Sequence, residues 1–250
     1  MIYKKSPEEL QIMRRGGQIL ADTMLRLEEM IAPGVSTQDL DKIAEEAITS
    51  AGARPSAKGY RGFPGAICTS PNDVIVHGIP SPDIVLEEGD VISLDVALFF
   101  EGFHIDNART YPVGEVSDEG RQLLKVTEEG LEAAISKCAP GVRLGDVGFA
   151  VEQTATSAGF SVVREYVGHG LGRQFHEDPQ VPNYGPPGHR ELLAPGMTLA
   201  IEPMVNVGGA GTKLMDDGWT VKTLDGSISA HFEHTVAITP EGHEVLTRPR

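Results

Sequence analysis

Apolar side chains recur every three or four residues at Leu10, Met13, Gly17, Leu20, Met24, Leu27 and Ile31. That spacing predicts one stripe of a long amphipathic helix. Ser6-Pro7-Glu8-Glu9 opens it with an N-cap, a proline at the first helical position and a capping-box glutamate. Leu40, Ile43, Ala47 and Ile48 predict a second helix ending near Gly52, and residues 118–138 and 146–158 predict an equivalent pair later in the chain. Over residues 91–98 the period changes to two. Ile92, Leu94, Val96 and Leu98 face one side of a strand, and Val91, Ser93, Asp95 and Ala97 the other. Leu199 and Ile201 share a face opposed by Thr198, Ala200 and Glu202, and SAHFEHTVAI (229–238) alternates in the same way. The Pro/Gly-rich stretch 182–188 reads as a loop.

The two sets of elements are copies. Residues 31–56 align without gaps on 138–163 with ten of 26 positions identical, including Ala-Pro-Gly-Val at 32–35 and 139–142. The same offset of 107 carries VISLDV (91–96) onto TLAIEP (198–203) and Asp95 onto Glu202. Two similar helix caps would explain the Pro-Gly but not the strand. The expectation is one domain over 1–250, built from related halves of roughly 1–113 and 114–250 about a pseudo-twofold axis. Two long copies without a short stackable period exclude a solenoid. Helices early and strands late in each half give an α+β fold, a sheet backed by helices.

Composition narrows the function. The 250 residues carry 36 acidic and 21 basic side chains, a net charge of −15. That excess supplies no basic stripe for nucleic acid. The short basic clusters Lys4–Lys5 and Arg14–Arg15 read as the solvated side of a helix. No apolar run reaches the ~18 residues that span a bilayer, and MIYKKSPEEL has no signal-peptide core. Cys68 and Cys138 form no metal or disulfide spacing, which suits a reducing compartment. A cytoplasmic, non-membrane protein is expected.

Both copied strands place a carboxylate on the face away from the main apolar row. Such an acid needs a cation, donors or a proton. Asp106 in FHIDNART, Glu233 in the later strand and His169, flanked by glycines in VGHGLG, complete a set of four carboxylates and one imidazole. Four acids in one cavity repel each other unless divalent cations neutralise them. Oxygen-rich ligation with one histidine favours Mn, Fe or Co, with Zn admissible, and shared carboxylates suit two adjacent ions. The chemistry such a pair supports is metal-assisted hydrolysis.

These residues resemble the type I methionine aminopeptidases, whose pita-bread fold is shared with prolidases and creatinase. YVGHGLGRQFHEDPQVPNY (166–184) matches the family signature at Gly168, His169, Gly170, His176 and Tyr184, and Asp95 and Asp106 keep the family separation of 11. The resemblance spans essentially the whole chain. It implies a curved, mainly antiparallel sheet and two divalent ions, with Asp95 chelating one, His169 and Glu202 the other, and Asp106 and Glu233 bridging. It also implies attack of a metal-bridging water on the first peptide bond, with Glu202 handling the proton. His176 would hydrogen-bond the scissile carbonyl and His77 the scissile nitrogen. Tyr60, Phe63, Cys68, Phe175 and Trp219 would wall the methionine socket. A monovalent cation would sit near Asn72, Val74 and Ser229. The implied substrate is the N-terminal methionine of nascent polypeptides with a small second residue. The implied protein is a monomer that meets the ribosome transiently.

Phe63 and Ala57 depart from residues common in the family, making the pocket more apolar, and Asn107 replaces a frequent threonine after Asp106. His104, His189, His231, His234 and His243 are expected on the surface or in packing. Other readings are weaker. Prolidases share the five ligands but usually carry an extra N-terminal domain, and inactive binding modules of this fold lose ligands. Gly168-x-Gly170-x-Gly172 lacks a following helix for a nucleotide loop. An HExxH zinc protease fails because Gln180 stands where the second histidine belongs.

Overall fold

The computed structural model describes residues 2–250. Helix α1 (Pro7–Met30) opens with the full capping box: Ser6 Oγ accepts from Glu9 N, and Glu9 returns the bond to Ser6 N. It buries Leu10, Met13, Leu20, Met24 and Leu27, with Gly16 and Gly17 lying against Ile105 and the Leu246 carbonyl. Helix α2 (Thr37–Ser50) buries Leu40, Ala44 and Ile48, so Ala44 takes the face that spacing assigned to Ala47. The first-half strands are β1 (Arg54–Pro55), β2 (Cys68–Pro71), β3 (Val74–Val76), β4 (Val91–Phe100) and β5 (Phe103–Pro112).

The second half repeats this with α3 (Asp118–Ser136), α4 (Leu144–Ser157), β6 (Ser161–Val162), β7 (Gly168–Gly170), β8 (Glu177–Val181), β9 (Thr198–Ile201) and β10 (Met204–Asn206). A flap hairpin follows, β11 (Thr212–Leu214) with β12 (Val221–Thr223), then β13 (Ser229–His231), β14 (His234–Thr239) and β15 (Gly242–Val245). The offset of 107 carries α2 onto α4, β1 onto β6 and the start of β4 onto that of β9. It also carries the isolated bridge Ser36↔Val85 onto Arg143↔Leu192.

Every described ladder is antiparallel, and the strands fall into a four-stranded set, two three-stranded sets and a five-stranded set. Each helix pair backs its own hairpin. Leu20, Leu40, Ile92, Leu94 and Leu98 centre one core, and Leu131, Val151, Leu199, Ile201 and Val236 the other. The predicted alternation in β4 therefore holds, with Ile92, Leu94, Val96 and Leu98 in the core and Asp95 and Ala97 facing a cavity.

One expectation fails outright. Lys5 is not on a solvated face: its ammonium lies 2.6 Å from Glu177, with both side chains shielded from water. Its backbone N–H bonds to the Gly196 carbonyl at 2.7 Å, ahead of α1, so no helix side was available to it. Arg14 is half-buried against Glu244, while Arg15 is exposed and pairs with Glu101.

Candidate active site

The cavity faces of the two hairpins meet across one space. In β4–β5, Asp95 lies opposite Ala108 and Ala97 opposite Asp106. Strand alternation puts all four on one face, so the two aspartates sit on a diagonal. In the second half Ile201 pairs with His234 and Met204 with His231. That unchanged register sets Glu202 opposite Glu233 in the gap where Pro203 interrupts the ladder. The Glu233 N–H donates to the Ala108 carbonyl at 2.7 Å and joins the hairpins directly.

Ligand oxygens of Asp95, Asp106 and Glu233 come within 4.8 Å of one another. His169 Nε2 lies 3.5 Å from Glu202 and 3.9 Å from Asp106. Its Nδ1 lies 2.8 Å from the Gly170 carbonyl, which can only accept. The proton therefore sits on Nδ1, leaving the Nε2 lone pair aimed at the acids. Gly168 and Gly170 are glycines because a Cβ would meet the Ala200 and Asp178 carbonyls at 2.3 and 2.2 Å. The glycines here admit neighbouring strands rather than a ligand.

Burial dominates the electrostatics. It raises Asp95 to about 6, with hydrogen bonds to Asp106 and Cys68 pulling the other way. It raises Asp106, Glu202 and Glu233 well above the usual carboxylate range, and mutual repulsion adds to it. Burial lowers His169 to about 4 and His176 to about 3. Glu233 Oε1 is buried with no hydrogen-bond partner among the described residues. Four converging acids, an orphaned oxygen and a neutral imidazole with a free lone pair fit divalent cations.

The cavity measures about 320 Å³, and the metal-ligand, catalytic and socket residues expected from the sequence line it, whereas Asn72, Val74 and Ser229 lie outside it. The five ligand candidates sit on its floor. Phe63 meets Trp219 edge-on at 5.1 Å, and Tyr60 meets Phe175 at 5.1 Å and stacks on His176 at 5.4 Å. Buried Cys68 pairs with Asp95 across β2–β4, and burial raises its thiol well above the ordinary value. His77 adopts φ +59°, a left-handed conformation rare for a side-chain-bearing residue. The following Gly78 accepts the tight course, since a Cβ there would sit 2.1 Å from the Thr69 carbonyl.

Several contributors escaped the sequence reading. His231, expected in packing, has its Nε2 3.7 Å from Glu202, and neither ring nitrogen has a hydrogen-bond partner among the described residues. The register that pairs Ala97 with Asp106 pairs Met204 with His231, so extending the repeat to the second strand would have flagged it. His104 stacks on Phe175 at 5.4 Å. Thr235 Oγ1 donates to the Asp106 carbonyl and accepts its N–H, holding that strand. Asn107 turns its amide to the Thr247 carbonyl at 3.4 Å, so its departure from the family falls outside the cavity.

A pita-bread scaffold whose hairpins converge four acids and a histidine on an apolar cavity defines a metal-dependent hydrolase. The family model for metallopeptidase family M24 matches residues 11–240. The chain belongs to that family. It is 52% identical to methionine aminopeptidase 1 of Bacillus subtilis, covering 99% of this chain and 100% of that one. It is 43% identical to methionine aminopeptidase of Escherichia coli over 97% and 92% of the two chains. The crystal structure of methionine aminopeptidase from Thermotoga maritima superposes with a TM-score of 0.98 at 46% identity, covering 99% and 100%. Prolidase from Pyrococcus furiosus shares the fold, with a TM-score of 0.79 at 20% identity, and this chain covers 66% of it.

Proposed function

We propose that this metallopeptidase removes the N-terminal methionine of polypeptides whose second residue is small. The observation that carries the reading is the cavity itself: an aromatic socket opening onto a floor of four raised-pKa carboxylates and one neutral imidazole. An unbranched thioether fills such a slot with dispersion and sulfur–ring contact.

In this reading Asp95, Asp106, His169, Glu202 and Glu233 would hold two divalent ions, Co, Mn, Fe or Zn, with Asp106 and Glu233 serving both. Bound there, such ions polarise a carbonyl and lower the pKa of water. Glu202 accepts the proton of the attacking water and returns it to the leaving amine. His176, neutral at pH 7, donates to the scissile carbonyl oxygen as its charge develops. His77 contacts the scissile nitrogen. Tyr60, Phe63, Cys68, Phe175 and Trp219 exclude water and size the socket. A monovalent cation near Asn72, Val74 and Ser229 belongs to the same proposal; the Ser229 N–H bond to the Asn72 carbonyl at 2.9 Å supports their proximity.

We take residues 1–250 as one catalytic domain of halves 1–113 and 114–250, monomeric and cytoplasmic, meeting its substrates as they leave the ribosome. Among the described residues no helix is long and apolar enough to cross a membrane. The test compares metal-loaded protein on Met-Ala, Met-Lys and Ala-Pro peptides, with Asp106→Asn as control. Cleavage confined to Met-Ala supports the reading, and preferential cleavage of Ala-Pro would sink it.

A further inference from the structure

The segment ahead of α1 is tied to the loop that carries His176. Lys5 Nζ meets Glu177 Oε2 at 2.6 Å across 172 residues of sequence, with side-chain exposures of 3% and 2%. The other carboxylate oxygen, Oε1, accepts the Gln174 N–H at 3.1 Å. Glu177 therefore closes a turn whose two interior residues are Phe175 and His176. The ammonium also donates to the Tyr3 carbonyl at 3.3 Å, and the Lys5 N–H to the Gly196 carbonyl at 2.7 Å. Room for it depends on Gly172, where a Cβ would lie 2.2 Å from Lys5 Cε. On the outside, Arg173 pairs with Glu9 of α1.

An apolar pair of this volume would stabilise the fold at least as well, because a buried ion pair gives back much of its attraction as desolvation. What an ion pair adds is a fixed partner and direction. Residues 172–176 lie between β7 and β8 without regular structure. Their two ring-bearing members must nevertheless stack correctly, Phe175 on His104 and His176 on Tyr60. We propose that Lys5 is a positioning residue for His176, acting through Glu177 to hold the 174–177 turn in its catalytic geometry. The inference rests on the reading of His176 as donor to the scissile carbonyl.

The test uses full-length, metal-loaded protein and a Met-Ala peptide. Lys5→Met lowers kcat roughly tenfold or more, because His176 acts in the transition state, and raises KM by a smaller factor through the Phe175 wall of the socket. In a His176→Ala background the same substitution changes kcat by less than about twofold, since the group it orients is gone. Lys5→Met also strands a buried carboxylate and lowers Tm by roughly 10 °C. The paired variant Lys5→Met/Glu177→Gln removes both charges, recovers most of that Tm and keeps the kcat defect. An equal loss of kcat in both backgrounds, or a kcat that recovers with Tm in the paired variant, would overturn the positioning role. Parental turnover in His176→Ala would overturn the reading of His176, and this inference with it.

Discussion

The two hairpins that face each other across the cavity started from one pattern and diverged in how they present charge. In the first, β4 and β5 run as an unbroken ladder of ten pairs, turned by Glu101 and Gly102 at φ +46° and +96°. Two central residues with positive φ are what a type I′ hairpin turn requires. In the second, the register survives, but the ladder breaks at Pro203 and a flap carrying Trp219 is inserted between β10 and β13. The unbroken ladder offers its acids on a diagonal, Asp95 and Asp106, while the broken one opposes Glu202 directly to Glu233. Where the first half has Asp106, the second has His231. The continuous hairpin thus supplies rigid, regularly spaced oxygens, and the interrupted one supplies longer side chains together with part of the specificity wall.

Substitutions that neutralise one acid at a time test whether the halves contribute equally, and they carry the largest expected effects. Asp106→Asn and Glu233→Gln should each lower kcat/KM on a Met-Ala peptide on the order of 10³-fold, because in the proposed arrangement each removes an anionic ligand shared by both ions. In the metal-free state, at a pH above the raised folded values of these acids, the same variants should melt higher than the parent, since each deletes a buried, uncompensated charge. Calorimetry with and without metal measures both signs. A large loss confined to one half would break the comparison.

The pH dependence of the metal-free protein is the next effect. Asp106, Glu202 and Glu233 have folded pKa values above their unfolded ones. Their contribution is complete below about pH 4 and is lost as pH rises through their folded values. The depressed histidines, His169 at about 4 and His176 and His231 at about 3, act oppositely. Their contribution is full above about pH 6.5 and is lost as pH falls through the folded values. The two sets offset each other where they overlap, and above about pH 6.5, where the histidines no longer titrate in either state, only the acids act. Metal-free Tm should therefore fall as pH rises beyond that point toward the acids' folded values, while the metal-loaded protein, its acids neutralised by cations, should hold nearly constant. Parallel thermal melts above that point check this.

Removing the flap's ring is the mildest change. Trp219→Ala should cut the preference for methionine over norvaline at the first position by roughly tenfold and spare metal binding, because it opens the socket without touching a ligand. Competition between the two peptides reads it directly.

Most of this architecture was legible in the sequence because it rests on local rules and on a repeat. The capping box at Ser6, the stripe on α1 and the alternation in β4 are each consequences of neighbouring residues. The offset of 107 then placed Glu202 beside Asp95 without any contact being known. Two of the escapes were long-range. Lys5 looked like a surface cation because only tertiary folding brings Glu177 to it. His231 carries no signal of its own in the sequence, and only the register across the hairpin equates it with Asp106. Asn107 looked worrying beside Asp106, yet adjacent strand residues face opposite ways, and its amide points to Thr247. Ala44 displaced Ala47 on α2 because Thr37, Leu40, Ala44 and Ile48 form the buried stripe, and spacing alone admits either alanine.

In the proposed arrangement each half would hold one ion, with Asp106 and Glu233 shared between the two. Divalent manganese binding per chain, measured by calorimetry on the metal-stripped parent, Asp95→Asn, Glu202→Gln and the double variant, tests it most directly. The account predicts two ions for the parent, one for each single variant and none for the double. Loss of both ions from either single variant, or retention of both by the two of them, would contradict it.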